Sequence, residues 1–256
     1  MMKKRINMIR NTMLFAAALA LCSCAQDSAL PSPSSTGTGG SLARFAVVGD
    51  FLYTVEQTTL SSFDISEPTQ MRPLGPLTVG EGVETIFPLN GFLFLGTQSG
   101  MFIYQIRPDG LPEFVSGYQH VVSCDPVVAN QQYAYVTLRV SGCRQAAAGA
   151  ADLLEIIDIA DLRNPQIVAS YGMDNPLGLG LDGQTLFVCL GAGGVKVFDV
   201  SQPQNLRELA HIHPLNAIDV IPLDGLLLVI GPDRIAQYDY RDLNDIKKVS
   251  EIAIGA

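Results

Sequence analysis

The sequence predicts an all-β fold: a β-propeller of about five four-stranded blades, following a signal peptide and a flexible linker. Three observations carry this reading. A period of about 41 residues recurs along the body, marked by two independent landmarks. Each period divides into four short strands separated by turn residues. The composition also changes abruptly at Leu42–Phe45, from a Ser/Gly/Thr/Pro stretch to a body rich in Val, Ile, Leu, Phe and Tyr. Self-similarity at this length is the signature of propeller blades. A β-sandwich has no reason to repeat its sequence, and a β-helix uses much shorter coils.

The amino terminus reads as a processing segment. Lys3, Lys4, Arg5 and Arg10 form a basic opening, and Met13–Leu21 is an apolar run too short to span a bilayer. The following LCSC at 21–24 resembles the lipobox of bacterial lipoproteins, with Leu21 at −3, Ser23 at −1 and Cys24 as the modified residue. Cys22 stands where Ala or Ser is usual. The resemblance implies that residues 1–23 are cleaved and that Cys24 carries the lipid. It also implies residence at the bacterial cell envelope, at the outer membrane or cell surface. Residues 24–42 are then the lipidated Cys and a flexible linker with almost nothing to bury.

Cleavage there removes four of the 16 basic residues and none of the 25 acidic ones, leaving a formal net charge of −13. Nucleic acid and anionic head groups both depend on Lys/Arg contacts, so neither is an expected partner of the body. Attachment to the membrane would come from the N-terminal acyl chains.

Residues 43–256 form the repeat region, with units of about 43–82, 83–124, 125–175, 176–217 and 218–256. The first landmark is a tight turn followed by an apolar strand. Its anchors are Tyr53, Phe94, Tyr135, Phe187 and Leu228, spaced 41, 41, 52 and 41 residues apart. The second is a strand ending in Asp64, Gln105, Asp158, Asp199 or Asp239, spaced 41, 53, 41 and 40. Unit four shows the pattern within a repeat: LGLGL, Asp182-Gly183, TLFVCL, GAGG, VKVFDV, a Pro-containing loop and LRELAHI. Asp-Gly suits the positive φ angles of turns between antiparallel strands, and strands of five to seven residues are typical of sheets.

The strings SFDISEP, IIDIADLRNP and VFDVSQP, at this period, resemble the LVIVD repeat of bacterial cell-surface and exported propellers. Units two and five depart from it, with Gln105 in the Asp position and no Pro after Asp239. The resemblance implies an envelope propeller and attaches no single activity to the repeat. The recurring Asp itself is expected to be scaffold: at a strand end a carboxylate accepts backbone N–H bonds and shapes the turn.

If strands a to d run outward from an axis, the a–b and c–d loops share one face, and the b–c turns and d-to-next-a connections share the other. The second face gathers the irregular features and is where function is expected. Unit three carries an insertion there, at 139–152. It contains Cys143, and Cys124 enters the same unit, so Cys124–Cys143 is the candidate disulfide in an exported chain. Glu81, Glu84, Asp125, Asp174 and Asp219 fall on successive connections of that face and form the candidate binding face. Net charge alone would also place solvated carboxylates there.

His211 and His213 share a strand face, but no third ligand follows at recognised spacing, so no metal is expected. The GAGG turn lacks the helix a phosphate-binding loop needs, and no nucleophile motif is present, so no cofactor and no catalytic residue are expected. These features predict a non-catalytic binding or interaction module for a protein or glycan. The alternative is a propeller-fold hydrolase or lyase acting on an envelope carbohydrate, with catalytic groups gathered near the axis.

Overall fold

The computed structural model describes residues 39–119, 126–140 and 151–255, all within the compact unit Ser35–Ala256; the side chain of Glu81 is also outside the description. Eighteen strands are described: β1 (Phe45–Val48), β2 (Phe51–Asp64), β3 (Arg72–Leu89), β4 (Phe92–Thr97), β5 (Gly100–Ile106), β6 (Pro112–Gln119), β7 (Val127–Ala129), β8 (Tyr133–Leu138), β9 (Leu153–Asp158), β10 (Gln166–Gly172), β11 (Leu179–Asp182), β12 (Thr185–Cys189), β13 (Val195–Asp199), β14 (Arg207–Ile212), β15 (Asp219–Leu223), β16 (Leu226–Ile230), β17 (Arg234–Asp239) and β18 (Lys247–Ala253). Within each sheet, strands pair antiparallel with their neighbours in sequence. β7–β10, β11–β14 and β15–β18 are four-stranded meanders, as units three to five predict.

Units one and two differ from the expectation. They merge into one six-stranded sheet, β1 to β6, because residues 72–89 run as a single strand through the expected boundary at 82/83 and residues 51–64 run as one strand through the expected b–c turn of unit one. Gly80 and Gly82 lie in the left-handed region (φ 109° and 66°) and bend the strand, while Gln98 donates its N–H to the Gly82 carbonyl at 3.0 Å. The connection is so short that ladder hydrogen bonding continues across it.

The repeat is visible as bonds that recur at equivalent places. The N–H following each second-landmark residue (Ile65, Ile106, Ile159, Val200 and Tyr240) donates to a carbonyl at the end of the first turn, on Asp50, Gly91, Gln132, Gln184 and Gly225, at 2.8–2.9 Å. Each unit also has a bulge where its last two strands pair, at Ser62/Phe63, Ile103/Tyr104, Ile167/Ala169, Val197/Phe198 and Gln237/Tyr238, and unit one has a second at Gln57/Thr59. A bulge adds a residue to one strand and increases the local twist.

The recurring Asp does what its position predicts. Asp64, Asp158 and Asp199 each accept the N–H two residues on, at 2.9 Å, and Asp239 does so at 3.1 Å. Arg72 and Arg207, facing from the next strand, add charge-assisted bonds to Asp64 and Asp199 at 2.5 and 2.7 Å. The Arg207 bond and those from Ser201 hold the Asp199 carboxyl down to about 2. In unit two, where Gln105 cannot play this part, Asp109 moves the same chemistry into the loop by accepting the Leu111 N–H at 3.1 Å and bonding Arg107.

Alternation along each strand sends successive side chains to opposite faces. Leu186 and Val188 therefore pack toward unit three, whereas Phe187 and Cys189 pack toward unit five. Four apolar clusters result, one between each pair of consecutive units. The first-landmark residues Tyr53, Phe94, Tyr135 and Phe187 lie at their centres and are at most 1 % exposed. Burying such side chains contributes ~2–3 kcal/mol each, which explains why an aromatic recurs there in units one to four; the fifth anchor, Leu228, is half-buried.

Candidate binding face

The b–c turns and the connections into β11 and β15 lie together. Gly191 of one turn exchanges backbone bonds with Ala217, at 3.1 and 3.0 Å, and Gly178 donates to the Ile218 carbonyl at 2.9 Å. Gly194 closes that turn at φ 83°, where a Cβ would sit 2.2 Å from the Ile212 carbonyl oxygen, so a side chain is excluded. Gly193, in the same turn, has no positive φ.

Among the described candidate carboxylates, Glu84, Asp174 and Asp219 differ in exposure and partners. Glu84 is half-buried and accepts the Gln98 amide at 3.1 Å across the neighbouring turn. Asp174 is exposed on the connection between β10 and β11. Asp219 departs from its expected role: it is only 5 % exposed, so its carboxylate is not offered to a partner. Its Oδ1 accepts the Ser41 hydroxyl and the Val220 N–H, both at 3.0 Å, and its Oδ2 accepts the Leu42 N–H at 3.1 Å. The Ser41 hydroxyl oxygen in turn accepts the Leu179 N–H at 2.7 Å, so one carboxylate ties residues 41–42 to the starts of β11 and β15. Burial pushes the Asp219 carboxyl up to about 6, against the lowering effect of these donors. Gly40 and Gly178 pack against it, where a Cβ would lie 2.1 and 2.2 Å from its oxygens.

Asp125, Cys124, Cys143 and Cys24 lie outside the described residues, as does the Glu81 side chain. Cys189 is a buried free thiol on β12, and burial raises its pKa further than nearby Asp219 does. The His211 and His213 rings lie with centroids 4.7 Å apart and planes tilted by 58°, and His211 Nε2 lies 2.6 Å from the Gly193 carbonyl oxygen. Among the described residues no group of three His, Cys, Asp or Glu side chains could hold a metal.

Two features escaped the sequence reading. Asp152, at the carboxyl end of the unit-three insertion, accepts the Val140 N–H at 2.8 Å and the Asn175 N–H at 3.1 Å. It thereby clamps the base of the insertion to the connection entering unit four; its place beside the insertion was the available signal. The second is a cleft of about 500 Å³ beside the connection into β15, lined among others by Asn216, Val229, Arg234, Tyr238, Lys248 and Glu251. Arg234 pairs with Asp233 at 2.9 Å and reaches Glu251 at 3.7 Å, while Lys248 pairs with Glu251 at 2.9 Å. Arg234, Lys248 and Glu251 belong to strands β17 and β18 and meet only once the strand register is known. The cleft opens on the face of turns and connections that sequence marked for function, with an apolar floor and both charge signs at its rim.

No family model and no curated protein matches this chain. Solved structures do. The chain is similar to the periplasmic gluconolactonase PpgL of Pseudomonas aeruginosa, at 14 % identity and TM-score 0.60 over 81 % of this chain and 68 % of that one. It is similar to the computationally designed protein Ika8, at 14 % identity and TM-score 0.58 over 81 % and 60 %. It is also similar to AztD of Citrobacter koseri, at 14 % identity and TM-score 0.57 over 78 % and 59 %. The chain thus spans about 60 % of the length of Ika8 and of AztD. At such identity the likeness establishes the fold, a propeller-type array of antiparallel sheets, and nothing of the activity.

Proposed function

We propose that this chain is a lipid-anchored envelope protein of the LVIVD-repeat type, whose five-bladed propeller acts as a non-catalytic binding module for a protein or glycan. Lipidation at Cys24 and residence at the outer membrane or cell surface rest on the amino-terminal sequence, and the blade count on the five recurring sets of turn bonds. The observation that carries the binding reading is the cleft between the unit-four and unit-five turns. It is open, amphipathic and framed by rigid sheet, which suits a ligand presented from solution. The chemistry at its rim is paired: Arg234, Lys248, Asp233 and Glu251 already satisfy one another. A partner engages such a rim by exchanging those ion pairs for its own charges or hydroxyls.

The test uses full-length protein in cells fed a clickable fatty acid, with crosslinking before recovery. The chain should carry the fatty-acid label, and Cys24→Ser should lose it. Bound material recovered with the parent should fall at least ~10-fold with Arg234→Glu plus Lys248→Glu, the size of effect expected of a rim whose charges contribute to binding. Unchanged recovery from a folded double variant rejects the cleft, and a labelled Cys24→Ser rejects the anchor.

A further inference from the structure

Residues 39–43 lead toward β1 of unit one and bond to three other units. The Ser41 hydroxyl and the Leu42 N–H donate to Asp219 of unit five, and the Leu179 N–H of unit four donates to the Ser41 hydroxyl. The Ile86 N–H of unit two donates to the Ala43 carbonyl at 2.9 Å. Ser41, at the centre of these bonds, is 1 % exposed. One short stretch of chain thus fastens unit one to units two, four and five at once.

This fastening is polar. The seams between consecutive units are filled by the four apolar clusters, and none of residues 39–43 belongs to any of them. Leu42, the one large apolar side chain of the stretch, is 37 % exposed. Segments with few buried apolar contacts open locally at a lower free energy than the sheets around them. The bonds centred on Asp219 and Ser41 are therefore what hold the stretch in place.

Asp219 makes those bonds sensitive to protons. With the stretch in place, Gly40 and Gly178 lie against the carboxylate and leave it 5 % exposed. Its donors are a hydroxyl and backbone N–H groups, with no cation among them. Lifting Gly40, Ser41 and Leu42 away removes two of these donors and admits water, which returns the carboxyl toward its ordinary value of ~3.9. Burial outweighs the donors while the stretch is shut, so the shut form binds a proton more tightly than the open form. Opening releases that proton, and a rise in pH favours it. The other titratable groups on the packed elements leave Asp219 to set this response. Arg44 follows the stretch and is exposed, and Asp174 is exposed on the connection into β11. Asp182 lies at the far end of β11, where it accepts the Tyr240 hydroxyl, and burial keeps the Cys189 thiol of β12 protonated.

We propose that residues 39–43 are a clasp whose opening is linked to proton release from Asp219. Shut, it fastens unit one to units two, four and five; as pH rises it opens locally while the sheets stay folded.

Hydrogen exchange on the full-length protein in mild detergent, resolved to single amides, tests this. After correction for intrinsic exchange, protection of the Leu42 and Leu179 amides should fall ~10-fold from pH 5 to pH 8, levelling off once pH passes about 6. Amides of the β8–β9 ladder should keep their protection over the same range. Asp219→Asn, which cannot titrate, should protect Leu42 and Leu179 equally at both pH values. Ser41→Ala supplies a second reading if that variant fails to fold: it should lower Leu42 protection already at pH 5 and leave β8 and β9 unchanged. A fall at Leu42 and Leu179 that β8 and β9 match overturns the clasp, because the sheets would then be opening with it. Ser41→Ala that leaves Leu42 protection intact overturns it as well. A parent with no fall, or a fall that survives in Asp219→Asn, overturns the proton link.

Discussion

Asp219→Ala is expected to destabilise the protein by ~2–4 kcal/mol in urea unfolding, one of the two largest single-residue effects we predict. The substitution strands the Ser41 hydroxyl and the Leu42 and Val220 N–H groups, which all donate to this carboxylate in a largely water-free site. Asp219 also gives stability a recognisable pH dependence. Burial holds its carboxyl at about 6 in the folded protein, against ~3.9 in an unfolded chain. Between these values the folded state keeps the proton that the unfolded state has lost, so stability falls as pH rises. The contribution is full below pH ~4 and gone above the folded value. Relative to Asp219→Asn, which cannot titrate, the wild type should gain up to ~3 kcal/mol on going from pH 7 to pH 4. Taking the difference from the variant removes the opposite trend of Asp199 and Asp239, whose carboxyls are held at about 2. A difference that is flat with pH would show that the site is hydrated.

Phe187→Ala is expected to cost ~3–5 kcal/mol, the range for an aromatic deleted from a sealed core. The ring is fully buried between units four and five and meets the Tyr240 ring edge-on at 4.9 Å between centroids. Truncation should therefore loosen that seam in particular, and hydrogen exchange should rise in β12, β13, β15 and β16 before the other sheets. Phe114→Ala is the control: Phe114 is 56 % exposed, and its loss should cost less than ~1 kcal/mol. Equal losses from the two would mean that Phe187 is not the anchor its recurrence suggests.

The repeat was legible because it is written twice, in the buried first-landmark residues and in the strand-end Asp. Those two positions have unrelated physical jobs, one filling a seam and the other closing a turn. The merging of units one and two was not legible, since Gly80 and Gly82 read equally well as a loop or as bends in a continuing strand. Asp219 was legible as a residue on the right face but not as a buried one. Its burial depends on Ser41, 178 positions away, and on two glycines whose missing side chains make room for it. The cleft was invisible for the same reason: Arg234, Lys248 and Glu251 are brought together by the β17–β18 register, which no local pattern specifies. Sequence thus chose the face to search, and long-range pairing chose the residues on it.

That partners are met on the face of the b–c turns and inter-unit connections is open to photo-crosslinking in cells. A photoreactive residue is placed at Asn216, in the cleft, and separately at Asp224, in the turn between β15 and β16 on the opposite face. The account predicts a discrete crosslinked product from position 216 and none from 224. A product from 224 alone would contradict it.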